Sequence, residues 1–254
     1  MKQLFIVCAL FACIASFSQQ NNTIKAGEKL VFTASYNMSG LMTQLAQVSM
    51  ETANVKTSKA TLLHLKCTAA TYSKWDSFFK IRDLYESYVN PANLKPVMHK
   101  RDVEEGTYKK QMKYTFNYKT KNAKVTLNKK GVKDQISNVA ITPATHDVVS
   151  LIYQLRNSDL STLQPGGSKQ FTLLFDEKLF PVTVKLMGKE TIDAGPLGKK
   201  QCYKLSVSAK TDKLKGKDQN LIWLTADAKK IPVFMKFNIP VGTGQLQLKS
   251  AAGI

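Results

Sequence analysis

From residue 29 onward the chain alternates. Leu30, Phe32, Ala34, Tyr36 and Met38 take every second place, with Val31, Thr33, Ser35 and Asn37 between them. After Ser39-Gly40 the alternation resumes at Ala46, Val48 and Met50, and then at Leu63, Leu65, Cys67 and Ala69. Met112, Tyr114, Phe116 and Tyr118 interleave with Lys113, Thr115, Asn117 and Lys119, and Val125 and Leu127 follow a Lys-Asn turn. The C-terminal half repeats the theme at Phe171, Leu173 and Phe175, at Val182, Val184 and Leu186, and at Tyr203, Leu205 and Val207. Val233, Met235, Phe237 and Ile239 then face Leu246 and Leu248 across Pro240 to Gly244. Period-two alternation predicts strands. One apolar and one polar face per strand describes an antiparallel sheet with one side wet. Roughly ten or more such strands predict a mainly β fold: one large curved sheet, half-barrel or barrel.

Two segments break the period. Ser73 to Lys80 sets Trp75, Phe78 and Phe79 at helical spacing, with Ser73 and Asp76 as an N-cap pair. Asp147 to Arg156 sets Val148, Leu151, Ile152 and Leu155 on one helical stripe. Asp147 near its start and Arg156 near its end suit the helix dipole. Two short helices covering or plugging the concave face follow from this. The best candidate boundary is Ser158 to Ser168, with Pro165-Gly166-Gly167, and it separates two β-rich halves of like character. It reads as a loop in one sheet system, so residues 19–254 are taken as a single β-rich domain.

Residues 1–18 stand apart. Met1-Lys2-Gln3 is a short positive start, Leu4 to Ile14 is apolar but too short to span a bilayer, and Ser16-Phe17-Ser18 precedes Gln19-Gln20. This is the pattern of a secretory signal peptide, which places the protein in the periplasm or on the outer envelope. A lipoprotein anchor is the alternative: Leu10-Phe11-Ala12-Cys13 resembles a lipobox with Cys13 acylated, although Phe11 fits poorly. No later stretch reaches the length of a membrane-spanning helix, so no transmembrane span is expected.

Composition sharpens this picture in two ways. Of 254 residues, 43% are hydrophobic and 22% charged, which is globular and excludes collagen, coiled coil and wholesale disorder. Lys and Arg number 37 against 18 acids, for a net charge of +19. The excess is almost wholly Lys; Arg82, Arg101 and Arg156 are the only arginines. Nucleic-acid readers lean on arginine forks, and with an exported location nucleic acid is not an expected partner. Lys109, Lys110, Lys113, Lys119, Lys121, Lys124, Lys129, Lys130 and Lys133 form a run with no acid between its ends. It reads as a solvated hairpin face that also guards a sheet edge, or as a contact for an anionic envelope surface, with Lys109, Lys110, Lys113, Lys121, Lys129 and Lys130 as the contact residues.

Recognisable catalytic patterns are few. Cys67 and Cys202 remain once the leader is set aside; alternation turns Cys67 inward and Cys202 outward, which argues against a disulfide. No Cys-x-x-Cys, His-x-x-x-His, Gly-x-Ser-x-Gly or glycine-rich phosphate loop occurs. His64 is expected to point outward, and His146 precedes Asp147 at a helix start, where capping is the usual role. Glu104 and Glu105 are neighbours on a strand and face opposite ways. No catalytic residue, metal site or cofactor is assigned.

A family resemblance runs from about Gly27 to the end of the chain. It rests on Gly27-Glu28-Lys29-Leu30, Asp83-Leu84-Tyr85-Glu86-Ser87-Tyr88, Asn93-Leu94-Lys95-Pro96, Arg101, and Glu105-Gly106-Thr107-Tyr108. The Asp147-Val148-Val149-Ser150 helix start, Gly195-Pro196-Leu197-Gly198, and Trp223-Leu224-Thr225-Ala226-Asp227 complete it. In this order the segments resemble the bacterial exported proteins of domain of unknown function 3108, and the leader resembles those of Bacteroidetes. The resemblance implies an extracytoplasmic β-rich protein and no particular activity. The leading functional expectation is a non-catalytic envelope protein that binds a lipid or other apolar or amphiphilic ligand in the sheet's concavity. Trp75, Phe78, Phe79, Leu151 and Tyr153 would line that site. Two other readings stand beside it: a structural or adaptor protein acting through its basic surface, and a hydrolase whose site is assembled from distant Asp, Glu and His.

Overall fold

The computed structural model describes residues 20–38, 40–129, 132–209, 220–239 and 242–254. Eight strands come first: β1 (Lys29–Met38), β2 (Leu41–Lys56), β3 (Thr61–Thr71), β4 (Arg82–Val89), β5 (Pro96–Glu105), β6 (Tyr108–Asn117), β7 (Asn122–Lys129) and β8 (Val132–Ala140). Then come β9 (Thr145–His146), β10 (Ser168–Phe175), β11 (Lys178–Asp193), β12 (Lys199–Ala209), β13 (Leu221–Thr225), β14 (Pro232–Ile239) and β15 (Gly242–Ala252). Helix α1 (Ser73–Asp76) joins β3 to β4, and α2 (Val148–Asn157) joins β9 to β10.

All fifteen strands form one sheet, in the order β8-β7-β6-β5-β4-β3-β2-β1-β15-β14-β13-β12-β11-β10-β9. The chain meanders outward from the middle to one edge, crosses to the other edge and meanders back. Every pairing is antiparallel except the short β9–β10 ladder. The strands do not close into a barrel: β8 pairs with β7 alone and β9 with β10 alone. Curvature instead brings the two ends face to face through side chains. Leu174 and Leu179 of the β10–β11 hairpin pack on Met112, Tyr114, Phe116, Val125 and Leu127 of β6 and β7. Ser137 of β8 donates to Glu177 at 2.6 Å. The result is an open half-barrel.

Register carries the inner face across the sheet. Leu30, Met50, Cys67, Tyr85, Arg101, Met112 and Leu127 are successive partners on seven neighbouring strands. The next row runs Thr52, Leu65, Ser87, His99, Tyr114 and Val125. Over β1–β3 the inner side chains are mostly apolar, with Thr52 and Thr71 buried among them. Over β4 and β5 they include Asp83, Ser87, His99 and Arg101, all buried.

Helix α2 lies in the concavity. Val149 and Tyr153 enter the cluster built on Leu30, Phe32, Met50, Leu63 and Leu65, and Leu155 enters a second one with Val182, Val184, Leu205 and Leu224. Each buried apolar side chain of this size contributes about 1.5–3 kcal/mol. Beneath α2 the concavity is therefore filled.

Three local expectations need correction. Helix α1 is a single turn that stops at Asp76, so Phe78 and Phe79 follow it rather than share its face. Its N-cap is Tyr72, without a side-chain cap bond, because the Asp76 carboxylate is already held by Arg82 (2.5 Å) and Thr71 (2.6 Å). Cys202 is fully buried rather than turned to solvent, since the sheet face it shares with Trp223 is itself covered. Both Cys67 and Cys202 are free thiols, pushed up to about 12 and about 11 respectively, chiefly by burial.

Candidate functional site

An apolar opening lies on the inner face at one end of the sheet. Antiparallel pairing places the β1–β2 tip, the β3–β4 connection, the β5–β6 tip and the β14–β15 tip at that end. A cavity of about 420 Å³ opens there, within the usual range for small-ligand sites. Ala34 and Ala46, register partners on β1 and β2, keep its floor low. Phe237 of β14 walls one side, its ring lying over Gly244, where any Cβ would collide with it. Trp75, Phe78 and Phe79 close the opposite side.

Sequence-local chemistry fixes that aromatic wall. Trp75 Nε1 donates to the Gln44 carbonyl at 2.9 Å, tying α1 to β2. Arg82 binds both Asp76 oxygens and so folds the turn back on its own strand; the guanidinium holds the Asp76 carboxyl below the usual carboxylate range. Gly106 donates its N–H to the Lys80 carbonyl at 2.8 Å, and the Phe79 ring packs beside Gly106. Phe78 is left 78% exposed at the mouth. Of the five expected ligand residues, Trp75, Phe78 and Phe79 meet in this cavity. Leu151 packs toward the second cluster and Tyr153 is wholly buried in the first, both away from it.

A second constellation went unread in the sequence. Asp147 caps α2, accepting from the Val149 and Ser150 N–H groups at 2.9 Å, while Ser150 Oγ completes a capping box. Ser87 Oγ of β4 donates to Asp147 Oδ2 at 2.7 Å, and His99 Nδ1 of β5 lies 3.3 Å from Oδ1. Serine, histidine and aspartate thus converge, but not as a nucleophile with its base. The serine hydroxyl gives its proton to the carboxylate, and the imidazole does not receive it. Ser87, Asp147 and Ser150 are fully buried. Burial pushes His99 below the usual histidine range and His146 down to about 4, so both are neutral at pH 7. The arrangement positions a helix against the sheet. Its only sequence signal is parity, Asp83, Tyr85 and Ser87 on one face and His99 and Arg101 on one face, read without the assumption that the inner face is apolar.

The lysines scatter. Lys109 is exposed at the β5–β6 tip and pairs with Glu104 at 3.3 Å. Lys110 turns inward instead, to Asp176 at 2.7 Å, alongside Arg101. Lys113 is on the convex face, flanking a shallow depression with Lys100, Glu86 and Asp102. Lys121 is exposed in the β6–β7 turn at the opposite end. Lys129 ends β7, and Lys130 lies outside the described residues. Lys109, Lys110, Lys113 and Lys121 therefore do not share one surface. Among the described residues no cluster of three metal-ligating side chains occurs, and no helix is long and apolar enough to cross a membrane.

The model of the family described as "Protein of unknown function (DUF3108)" matches residues 31–249. The chain belongs to this family. No curated protein matches it. Among solved structures, a β-barrel-like protein of domain of unknown function DUF1849 from Brucella abortus superposes with a TM-score of 0.60 at 11% identity, covering 89% of this chain and 96% of its own. A putative exported protein with a YmcC-like fold from Bacteroides fragilis is similar over 92% of this chain and 99% of its own, at 9% identity and a TM-score of 0.35. At such identities the Brucella likeness speaks for the fold alone.

Proposed function

We propose that this DUF3108 protein is a non-catalytic binding protein of the bacterial envelope that takes up an apolar or amphiphilic ligand, such as a lipid acyl chain, in the cavity at the end of its half-barrel. One observation carries the reading: an open cavity of about 420 Å³ whose lining is almost wholly apolar, on a sheet face that is otherwise packed. A water-filled hollow lined by Ala34, Ala46, Trp75, Phe78, Phe79 and Phe237 is costly to leave empty, because each apolar Å² returned to water costs about 25 cal/mol. A ligand that displaces that water gains the same term. The leader-like residues 1–18 support export, with the lipoprotein alternative through Cys13 still open, and set the ligand class as one found in the envelope.

The test is displacement of a fluorescent fatty acid from protein in solution, beside native mass spectrometry of protein purified from a bacterial envelope. Wild type is expected to bind the probe, and to carry an extra mass removed by organic extraction. Ala34→Phe fills the floor and should weaken probe binding at least tenfold while thermal unfolding changes little. Equal affinity in wild type and Ala34→Phe, or no binding by either, overturns the assignment.

A further inference from the structure

Exposed apolar side chains stand around the mouth of the cavity. Leu41 (72% exposed) and Met42 stand at the β1–β2 tip, Phe78 and Phe79 after α1, and Tyr108 at the β5–β6 tip. Among the described residues, five of the nine large exposed hydrophobic side chains thus gather at one end of the sheet; the other four, Val97, Ile136, Met187 and Ile254, are scattered. Such a concentration on an otherwise polar surface marks an interaction site. Lysines stand between the apolar tips: Lys74 beside Trp75 (its Nζ 5.7 Å from the ring centre), Lys80 next to Phe79, and Lys109 next to Tyr108. Among the described residues, the acids by the β3–β4 connection and the β5–β6 tip are Asp76, Glu104 and Glu105, and the neighbouring β10–β11 tip adds Asp176 and Glu177. Asp76 is occupied by Arg82, and Glu104 is shared by Lys80 and Lys109. Asp176 is likewise held by Arg101 and Lys110, and over the whole chain Lys and Arg number 37 against 18 acids.

We propose that this end docks on an anionic phospholipid bilayer. Leu41, Met42, Phe78, Phe79 and Tyr108 would enter the boundary between headgroups and acyl chains, with Lys74, Lys80 and Lys109 against the phosphates. Apolar and aromatic tips flanked by ammonium groups are the arrangement that the membrane interface selects. The protruding side chains come from three separate connections held together by the Trp75–Gln44 and Gly106–Lys80 hydrogen bonds, so the rim is a fixed ring rather than one loose loop. This deepens the carrier reading and rests on it for its purpose: a cavity whose mouth faces the bilayer exchanges an acyl ligand without carrying it through water.

The experiment is co-sedimentation with vesicles, using the chain without residues 1–18, which retains every strand and both helices described. Vesicles of phosphatidylethanolamine with phosphatidylglycerol are compared with pure phosphatidylcholine. Wild type is expected to bind the anionic vesicles at least tenfold more strongly, with brominated acyl chains quenching Trp75 fluorescence. Leu41→Glu combined with Tyr108→Glu, at two exposed positions outside the cavity lining, should lower anionic binding at least tenfold. Lys119→Gln with Lys121→Gln, at the opposite end, should change it less than twofold. Equal losses for both pairs, no loss for the rim pair, or no vesicle binding by wild type overturns the proposal. Outcomes for the two readings separate. Ala34→Phe should lose the soluble fatty-acid probe yet keep vesicle binding, and the rim variant should do the reverse. Vesicle binding without any probe binding would sink the carrier reading and leave the docking surface standing.

Discussion

A guanidinium at the end of an amphipathic helix usually reaches for solvent, yet Arg156 is fully buried. Its two terminal nitrogens each lie 2.6 Å from an oxygen of Glu28, itself nearly buried just ahead of β1. One of them also approaches the Lys229 carbonyl, and the guanidinium stands over the Tyr153 ring. Desolvating two charges is expensive, so the pair's value lies in its loss being worse than its presence. Glu28→Gln should cost about 3–5 kcal/mol in urea unfolding, because it strands a buried cation. Replacing both partners, Glu28→Leu with Arg156→Met, should restore more than half of that loss; a double variant no better than the single one would show that the pair contributes more than mutual compensation. The sequence placed Arg156 correctly on α2 and read it only as a dipole partner, since Glu28 is far away along the chain. Cys202 escaped for a related reason: parity names a face, not whether something covers that face.

Helices α1 and α2 show where periodicity informs and where it misleads. Over α2 the apolar stripe spans enough turns to stand out, and Asp147 marks its start. Over 73–80 the same spacing of aromatics arises from one helical turn and a following hydrogen-bonded turn, in which the Phe78 and Phe79 N–H groups both donate to the Trp75 carbonyl. The aromatics of this segment were nonetheless legible as cavity residues by their chemistry alone. The fixing contacts of α2 were not, because its partner strands β4 and β5 turn polar residues inward and so hide their alternation. Asp147→Ala should cost about 2–4 kcal/mol. It removes the cap, worth roughly 1 kcal/mol, and leaves the Ser87 hydroxyl buried without its acceptor, about 1–3 kcal/mol more. Ser150→Ala keeps the cap bonds from backbone N–H groups and should cost about 1 kcal/mol. Hydrogen exchange should show the α2 amides opening first in Asp147→Ala; a loss spread evenly over the sheet would assign the effect to something other than docking of the helix.

At the scale of the molecule, alternation revealed a large antiparallel sheet, and the strand order with its open edges came only from the structure. Closure depends on how far the sheet curls, and that is set by side-chain contacts such as Leu174 on Tyr114, between residues remote in sequence. The same curvature buries titratable groups on the inner face, and these pull the response of stability to pH in opposite directions. Burial pushes the Asp83 carboxyl up to about 6. A raised carboxyl contributes stability that is fully present below its unfolded value and is lost as pH rises through about 6. Burial pushes His146 down to about 4, and His99 down as well. A lowered histidine contributes stability that is present above its unfolded value and is lost as pH falls toward its folded one. Between pH 6.5 and 4 the two effects oppose each other, and the native protein should show a shallow stability profile there. Asp83→Asn separates them. Asparagine can still accept the Glu104 N–H bond and carries no charge to desolvate. At pH 7 this variant should be more stable than wild type by on the order of 2–3 kcal/mol, since a tenfold change in a proton's affinity is worth about 1.36 kcal/mol. The gap should narrow below pH 6 and vanish near pH 4, where the native carboxyl is already protonated. The variant's own stability should fall steadily from pH 6.5 to 4, first through the lowered histidines and, near pH 4, also through carboxyls held low by cations, such as Asp76 beside Arg82. Urea unfolding of both proteins at pH 7.5, 6, 5 and 4 measures this, and a gap that stays constant across that series would mean that Asp83 does not titrate as its buried position requires.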